Sequence, residues 1–237
     1  GSIAIGLSAL GALTTGAGNV AIGFQSLDAA STSTYNTAVG HQDLSGVTTG
    51  AGSNTAVGYQ AGLAIVGGEY NTLMGQGAGV ALTEGDYNVI IGRVAGAVLT
   101  TSGSNTLIGY AAGDAIAAGQ TTTDGTTAVG YASLSALTSG AGNTAIGHEA
   151  GKSITDGKYN TAVGYTAMAN AMNVGDANSA LGYRALYSLD PDANDHGKNT
   201  AMGSNAGYST TTGTENTYIG ESAGYFNATG DSNTYIG

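Results

Sequence analysis

The chain of 237 residues has no cysteine and no tryptophan, a single proline, two phenylalanines and only five lysines and arginines. Without cysteine, neither disulfides nor thiolate-held metals can brace the fold. Charged residues make up 9% of the chain, against roughly 25% in ordinary domains, so its polar surface must come from Thr, Ser, Asn and backbone. The sixteen acidic residues outnumber Lys152, Lys158, Lys198, Arg93 and Arg184 and leave a net charge of −11. That balance argues against nucleic acid and anionic membrane surfaces as partners. No apolar run of about 18 residues occurs, so no membrane-spanning helix is expected. The 42 glycines show no three-residue period, which excludes collagen.

What is abundant is one short phrase. Asn143-Thr144-Ala145-Ile146-Gly147 returns as Asn54-Thr55-Ala56-Val57-Gly58, as Asn160-Thr161-Ala162-Val163-Gly164 and as Asn216-Thr217-Tyr218-Ile219-Gly220. Fourteen copies end at Gly6, Gly23, Gly40, Gly58, Gly75, Gly92, Gly109, Gly130, Gly147, Gly164, Gly182, Gly203, Gly220 and Gly237, mostly 17 residues apart. A period this short means a solenoid or fibre. The expected fold class is all-β, a parallel β-solenoid of about 14 short coils running as a single array over residues 1–237. Because the chain starts and stops inside a repeat, it reads as a segment of something longer.

Numbered from the glycine, Asn stands four residues before it in twelve copies, Thr three before in ten, and Ile, Val, Leu or Met one before in all. Ala stands two before in nine copies, replaced elsewhere by Leu73, Ile90, Leu107, Tyr218 and Tyr235. A second apolar column lies seven after, including Val47, Ile65, Leu82, Leu99 and Leu137, and fails at Thr210 and Asn227. These columns predict two short strands per repeat joined by turns. Alternation places the aliphatic residue before the glycine, and the Thr two before that, inside each coil. The Ala column then faces out, where neighbouring chains could approach closely. Asn54, Asn71, Asn143 and Asn160, with Gly58, Gly75, Gly147 and Gly164, form the expected structural ladder. Its amides either bond the next coil or serve as turn residues.

At these residues the chain resembles a known family. Gly1-Ser2-Ile3-Ala4-Ile5-Gly6 and Asn19-Val20-Ala21-Ile22-Gly23 are similar to the head repeats of YadA-type trimeric autotransporter adhesins. The Asn-Thr-Ala-Ile/Val-Gly phrase also resembles repeats of bacteriophage tail fibres and large bacterial surface proteins. The resemblance covers essentially the whole chain, although the 17-residue repeat is longer than the family's. It implies a left-handed β-roll, a homotrimer with three chains side by side, and an extracellular location on a cell surface or virion.

Candidate sites are few. One residue after the glycine, Tyr59, Tyr110, Tyr131, Tyr165 and Tyr183 form a column suited to binding a surface glycan or protein, or to cross-coil stacking. His41 and His148 share that column and read as surface tolerance. Two repeats are four residues longer, with inserts at Gly119–Gly125 and Asp190–Gly197; such inserts become loops on one face. Asp190, Asp192 and Asn194 have a calcium-like spacing but lack the glycine and closing glutamate of an EF-hand, so a solvated acidic loop is the plainer reading. No Walker, Gly-x-Ser-x-Gly or zincin motif occurs, so no enzyme activity and no cofactor are expected. The functional expectation is a structural and adhesive fibre segment, with an end-to-end filament as the alternative. An ice-binding solenoid built on the Thr column is a third reading.

Overall fold

In the computed structural model, which describes residues 1–116, 124–171, 175–190 and 197–237, the chain is an all-β parallel solenoid with no helix among the described residues. It divides into two units, Gly1–Asp124 and Gly125–Gly237. In the first, β1 (Ile3–Ile5), β2 (Val20–Ile22), β3 (Thr37–His41), β4 (Thr55–Tyr59), β5 (Thr72–Met74), β6 (Val89–Ile91) and β7 (Thr106–Ile108) pair in sequence order, all parallel. In the second, β8 (Thr127–Val129), β9 (Thr144–Ile146), β10 (Thr161–Val163), β11 (Ser179–Leu181), β12 (Thr200–Met202), β13 (Thr217–Ile219) and β14 (Thr234–Ile236) do the same. Register is exact from coil to coil, as in Thr144↔Thr161, Ala145↔Ala162 and Ile146↔Val163.

Among the described residues each coil has one strand, not the two expected from the columns. The second apolar segment runs through consecutive turns whose residues two and four after the glycine adopt positive φ. Gln25 and Leu27, Gln42 and Leu44, and Arg184 and Leu186 are examples, with φ between 48° and 58°. A strand cannot hold left-handed residues at alternate positions, yet the turns still bond to the next coil. The Leu27 N–H donates to the Asp43 carbonyl, Leu44 to Ala61 and Gly79 to Ala95, at 3.0–3.1 Å.

Two structural ladders run along each unit. The repeat glycines hold φ from 121° to 155°, and a Cβ on Gly75 would stand 2.8 Å from both the carbonyl carbon and oxygen of Gly92. The glycine is required by this close backbone approach as well as by its φ. The Asn ladder is buried. In the first unit, Asn71 takes Asn88 N–H and Asn88 Nδ2 on its Oδ1, both at 3.0 Å, while its own Nδ2 donates to the Gly85 carbonyl at 2.8 Å. Asn199 and Asn216 repeat the pattern in the second. Asn178 donates to the Gly175 carbonyl, and Asn160 Nδ2 is buried without a partner among the described residues although its Oδ1 accepts from Asn178. Most of these amides therefore satisfy backbone groups of the next coil, and Asn143 and Asn178 also bond their own turns at Gly140 and Gly175, in keeping with the needs of buried polar groups.

The interior reverses the expected facing. Ala145 and Ala162, like Ala21, Ala38 and Ala56, are buried, whereas Ile146, Met74, Leu181 and Met202 are 41–50% exposed. The Ala column therefore cannot be a surface between chains, and the aliphatic column before the glycine is not the core. Volume decides this. The interior takes a large residue at no more than one of two columns in a coil. At Ala56/Gly62, Ala145/Gly151 and Ala201/Gly207 it takes none, the methyls of Leu44, Leu134 and Leu186 reaching in from the adjacent coil. Where Ala lies two before the glycine, Leu27, Leu44, Leu134, Met168 and Leu186 at four after it supply much of the bulk. Where that later position is Gly79, Gly96 or Gly113, the methyls of Leu73, Ile90 and Leu107 occupy the space. The column seven after the glycine, from Ala30 through Ile65 and Leu137 to Leu189, completes the core as expected.

The polar breaks at Thr210 and Asn227 have the same origin. Tyr218 is fully buried inside its coil, fitted against Gly207 and Gly224. Its hydroxyl accepts hydrogen bonds from Thr210 Oγ1 at 3.0 Å and Asn227 Nδ2 at 2.8 Å. Its bulk thus goes inward, not between chains as the expected outward facing of that column suggested. Replacing Gly75 by Ala should lower the unfolding free energy by about 2–4 kcal/mol, since positive φ and the missing space act together. Asn88→Ala should cost about 1–3 kcal/mol by stripping the acceptor from Asn105. Denaturant titration of both variants checks the two values.

Candidate functional site

Strand alternation carries three columns to the outside of each coil. Three before the glycine stands the Thr column, half-buried at Thr37, Thr55, Thr72 and Thr144 and exposed at Thr161 and Thr200. One before it stands the aliphatic column. None of these positions is charged in any of the fourteen copies, in a chain of net charge −11. Each unit therefore presents a strip of hydroxyls and aliphatic side chains in strict register.

One after the glycine stands the aromatic column, on the same outer side. In β3 and β4 the ladder continues through Gly40↔Gly58 to His41↔Tyr59. In the first unit Phe24, His41 and Tyr59 stack with ring centroids 5.0 and 5.1 Å apart. Arg93 lies two coils further, its Nε donating to Gln76 Oε1 at 3.0 Å and its guanidinium 5.5 Å over the Tyr110 ring. In the second unit Tyr131, His148, Tyr165 and Tyr183 form one stack at 4.9, 4.9 and 5.9 Å. Arg184 lies 5.0 Å over Tyr183 and 5.6 Å over Tyr187. The candidate tyrosines thus sit in one outer column in each unit, and His41 and His148 are members of the stacks.

This geometry limits what the stacks can bind. Rings 4.9–5.9 Å apart and 8–31° from parallel cover much of one another's faces. A sugar that packs on a ring face therefore finds that face free only at the end of a stack. Ring edges and hydroxyls point outward along the column, and these can meet hydrogen-bonding groups of a glycan or protein.

Two further tyrosine ladders lie outside the expected column. Five before the glycine, Tyr70 and Tyr87 stack at 5.0 Å with planes 4° apart; Tyr35 and Tyr159 hold the same position in other coils. Five after the glycine, Tyr187, Tyr208 and Tyr225 stack at 5.2 and 4.9 Å. Both were legible as columns, 17 residues apart at Tyr70/Tyr87 and Tyr208/Tyr225 and 21 apart at Tyr187/Tyr208 in the longer repeat, once every tyrosine was numbered from its glycine.

Of the calcium-like trio, Asp190 is half-buried and its N–H donates to the Thr211 carbonyl; Asp192 and Asn194 lie outside the described residues. So does most of the insert beginning at Gly119. Among the described residues no group of three His, Asp or Glu side chains could hold a metal ion, and no helix is long and apolar enough to cross a membrane.

Asp43 is the one buried carboxylate in the aromatic region of the first unit. It occupies a position that is Ala or Ser in the neighbouring coils. Its Oδ2 accepts the Gly58 N–H at 2.7 Å and its Oδ1 the Ala61 N–H at 2.8 Å. Burial pushes its pKa above the ordinary 3.8; the two backbone donors and nearby His41 offset part of that. A raised folded-state pKa means the folded chain holds the proton more tightly than the unfolded one. Asp43 therefore favours folding most when protonated, and that contribution falls as pH rises from about 3.8 through the folded value. The stability difference between the natural chain and Asp43→Ala should shift toward the natural chain as pH is lowered through this window. Parallel denaturant titrations at several pH values check the sign; a flat difference excludes it.

Comparison with known proteins finds no matching protein family, no matching curated protein and no matching solved structure.

Proposed function

We propose that this chain is a segment of an extracellular structural and adhesive fibre, in which copies of the solenoid assemble side by side as a homotrimer. The observation that carries the reading is the uncharged Thr and aliphatic strip on each unit. Ile22, Met74, Ile146, Leu181, Met202 and Ile219 expose more than a third of their surface in register. Contiguous exposed apolar surface of this kind marks an interaction face. The assembly face is this strip, not the Ala column, which is interior. The aromatic stacks remain available to a surface glycan or protein, with ring edges and hydroxyls as the contacting groups.

Solution mass tests the assembly. The natural chain is expected at three times its 23.0 kDa. Ile146→Glu with Val163→Glu should weaken association by a hundredfold or more while leaving the circular dichroism unchanged. Each carboxylate desolvated at the interface costs on the order of 1–3 kcal/mol, and the like charges add to that. Ala145→Glu should instead unfold its coil. A monomeric natural chain overturns side-by-side assembly.

The outward Thr column favours one second reading, ice binding. Thr37↔Thr55↔Thr72 in one unit and Thr127↔Thr144↔Thr161 in the other are consecutive register partners. With the aliphatic column they make a repeating array of hydroxyls and methyls without charge. The two readings compete for one strip, since a trimer would cover it. Thermal hysteresis that is present in the natural chain and lost in Thr144→Lys with Thr161→Lys supports ice binding. Hysteresis no greater than that of an albumin control removes it.

A further inference from the structure

Tyr70 and Tyr87 form a pair set apart from the other aromatics of their column. They stand at the same position of successive coils, and their column neighbours are Ser53 and Ser104. The two rings are 5.0 Å apart and within 4° of parallel, and they are 50% and 61% exposed. Register holds them there: β5 pairs β6 through Thr72↔Val89, and both tyrosines adopt φ of 58° in the turn just before their strands. The pair therefore combines solvent access with a fixed, close phenolic partner.

We propose that Tyr70 and Tyr87 are a site of oxidative dityrosine formation, a covalent staple between successive coils. The co-reactant is a one-electron oxidant of the peroxidase type with hydrogen peroxide. Each phenol loses one electron and its hydroxyl proton to give a phenoxyl radical, with spin density on the ring carbons beside the oxygen. The two radicals join through one Cε of each ring, forming a carbon–carbon bond. As the rings regain aromaticity, each bonded Cε gives up its hydrogen as a proton and each oxygen regains one. The pair thus loses two hydrogens, and the two electrons reduce one hydrogen peroxide to two waters. Ring rotation about χ2 brings the Cε atoms together without moving the backbone ladder, because that torsion is broad in tyrosine.

The chain carries its own control. Tyr35 and Tyr159 hold the same position and are at least as exposed, at 69% and 64%. Their column neighbours are Gly18 and Ser53, and Gly142 and Ala177, so no second phenol stands beside them in the ladder. Dilute folded protein is treated with horseradish peroxidase and hydrogen peroxide and then cut by a glutamate-specific protease. Cleavage after Glu69 and Glu84 places Tyr70 and Tyr87 in different peptides. The expected product is those two peptides joined, two hydrogens lighter than their sum, from protein that remains a single chain on a denaturing gel. Its yield should exceed cross-linking at Tyr35 or Tyr159 by about tenfold or more, since a held partner acts at a far higher effective concentration than a second molecule. Tyr70→Phe keeps the stack but has no phenol, and should abolish the joined peptide without changing the circular dichroism. The proposal is overturned by a yield no higher than at Tyr35 and Tyr159, by an equal yield from the chain unfolded in urea, or by cross-links found only between molecules.

Discussion

Successive coils approach so closely at the repeat glycine that no side chain fits between them. The backbone of one glycine faces the carbonyl of the next, and a Cβ at Gly75 or Gly58 would lie within 3 Å of it. Everything else in the coil is spaced by that contact. With the backbones pinned there, the strand residues before each glycine must pair in exact parallel register. The buried Asn four residues earlier can then reach two backbone groups of the next coil, the N–H of the following Asn and the carbonyl of the turn just before it.

The same pinning makes the cross-section narrow. A narrow interior cannot take bulk from every inward column, so the coils trade volume between two of them. Leu44 or Met168 fills the space in one kind of coil, and Leu73 or Ile90 opposite a glycine fills it in the other. The buried Tyr218, with Thr210 and Asn227 on its hydroxyl, is a further solution to the same filling problem. Aliphatic residues that the interior cannot hold go outside beside the Thr column, and this is why a fibre-like assembly is the reading the surface supports.

Stacked aromatics follow from register rather than from a binding design. Any residue type repeated at one position of the period meets itself one coil away, which gives His41 and Tyr59, His148 and Tyr165, and Tyr70 and Tyr87 their ring partners. The stacking stabilises coil against coil and at the same time hides the ring faces. What the columns offer a partner is therefore edges, hydroxyls and, at Tyr70 and Tyr87, a reactive pair.

By itself the sequence determined the period, the parallel solenoid and the composition of each column. Fourteen glycines at regular spacing leave no other way to stack, and a ladder of Asn or Tyr is implied as soon as the coils are in register. Which side of the strand faces inward was decided only by the tertiary structure. A period of two supplies two opposite faces and does not say which is buried; Ile146 is the more apolar choice and Ala145 the one that fits. The fit of Ala145 depends on residues six and nine positions further along the chain, Gly151 and Ile154, folded back across the coil by turns with left-handed φ values, as at Glu149, that residue type does not announce. Leu27, Leu134 and Met168 adopt positive φ because the fold requires it there, a cost that packing against neighbouring coils offsets and that no local preference would reveal.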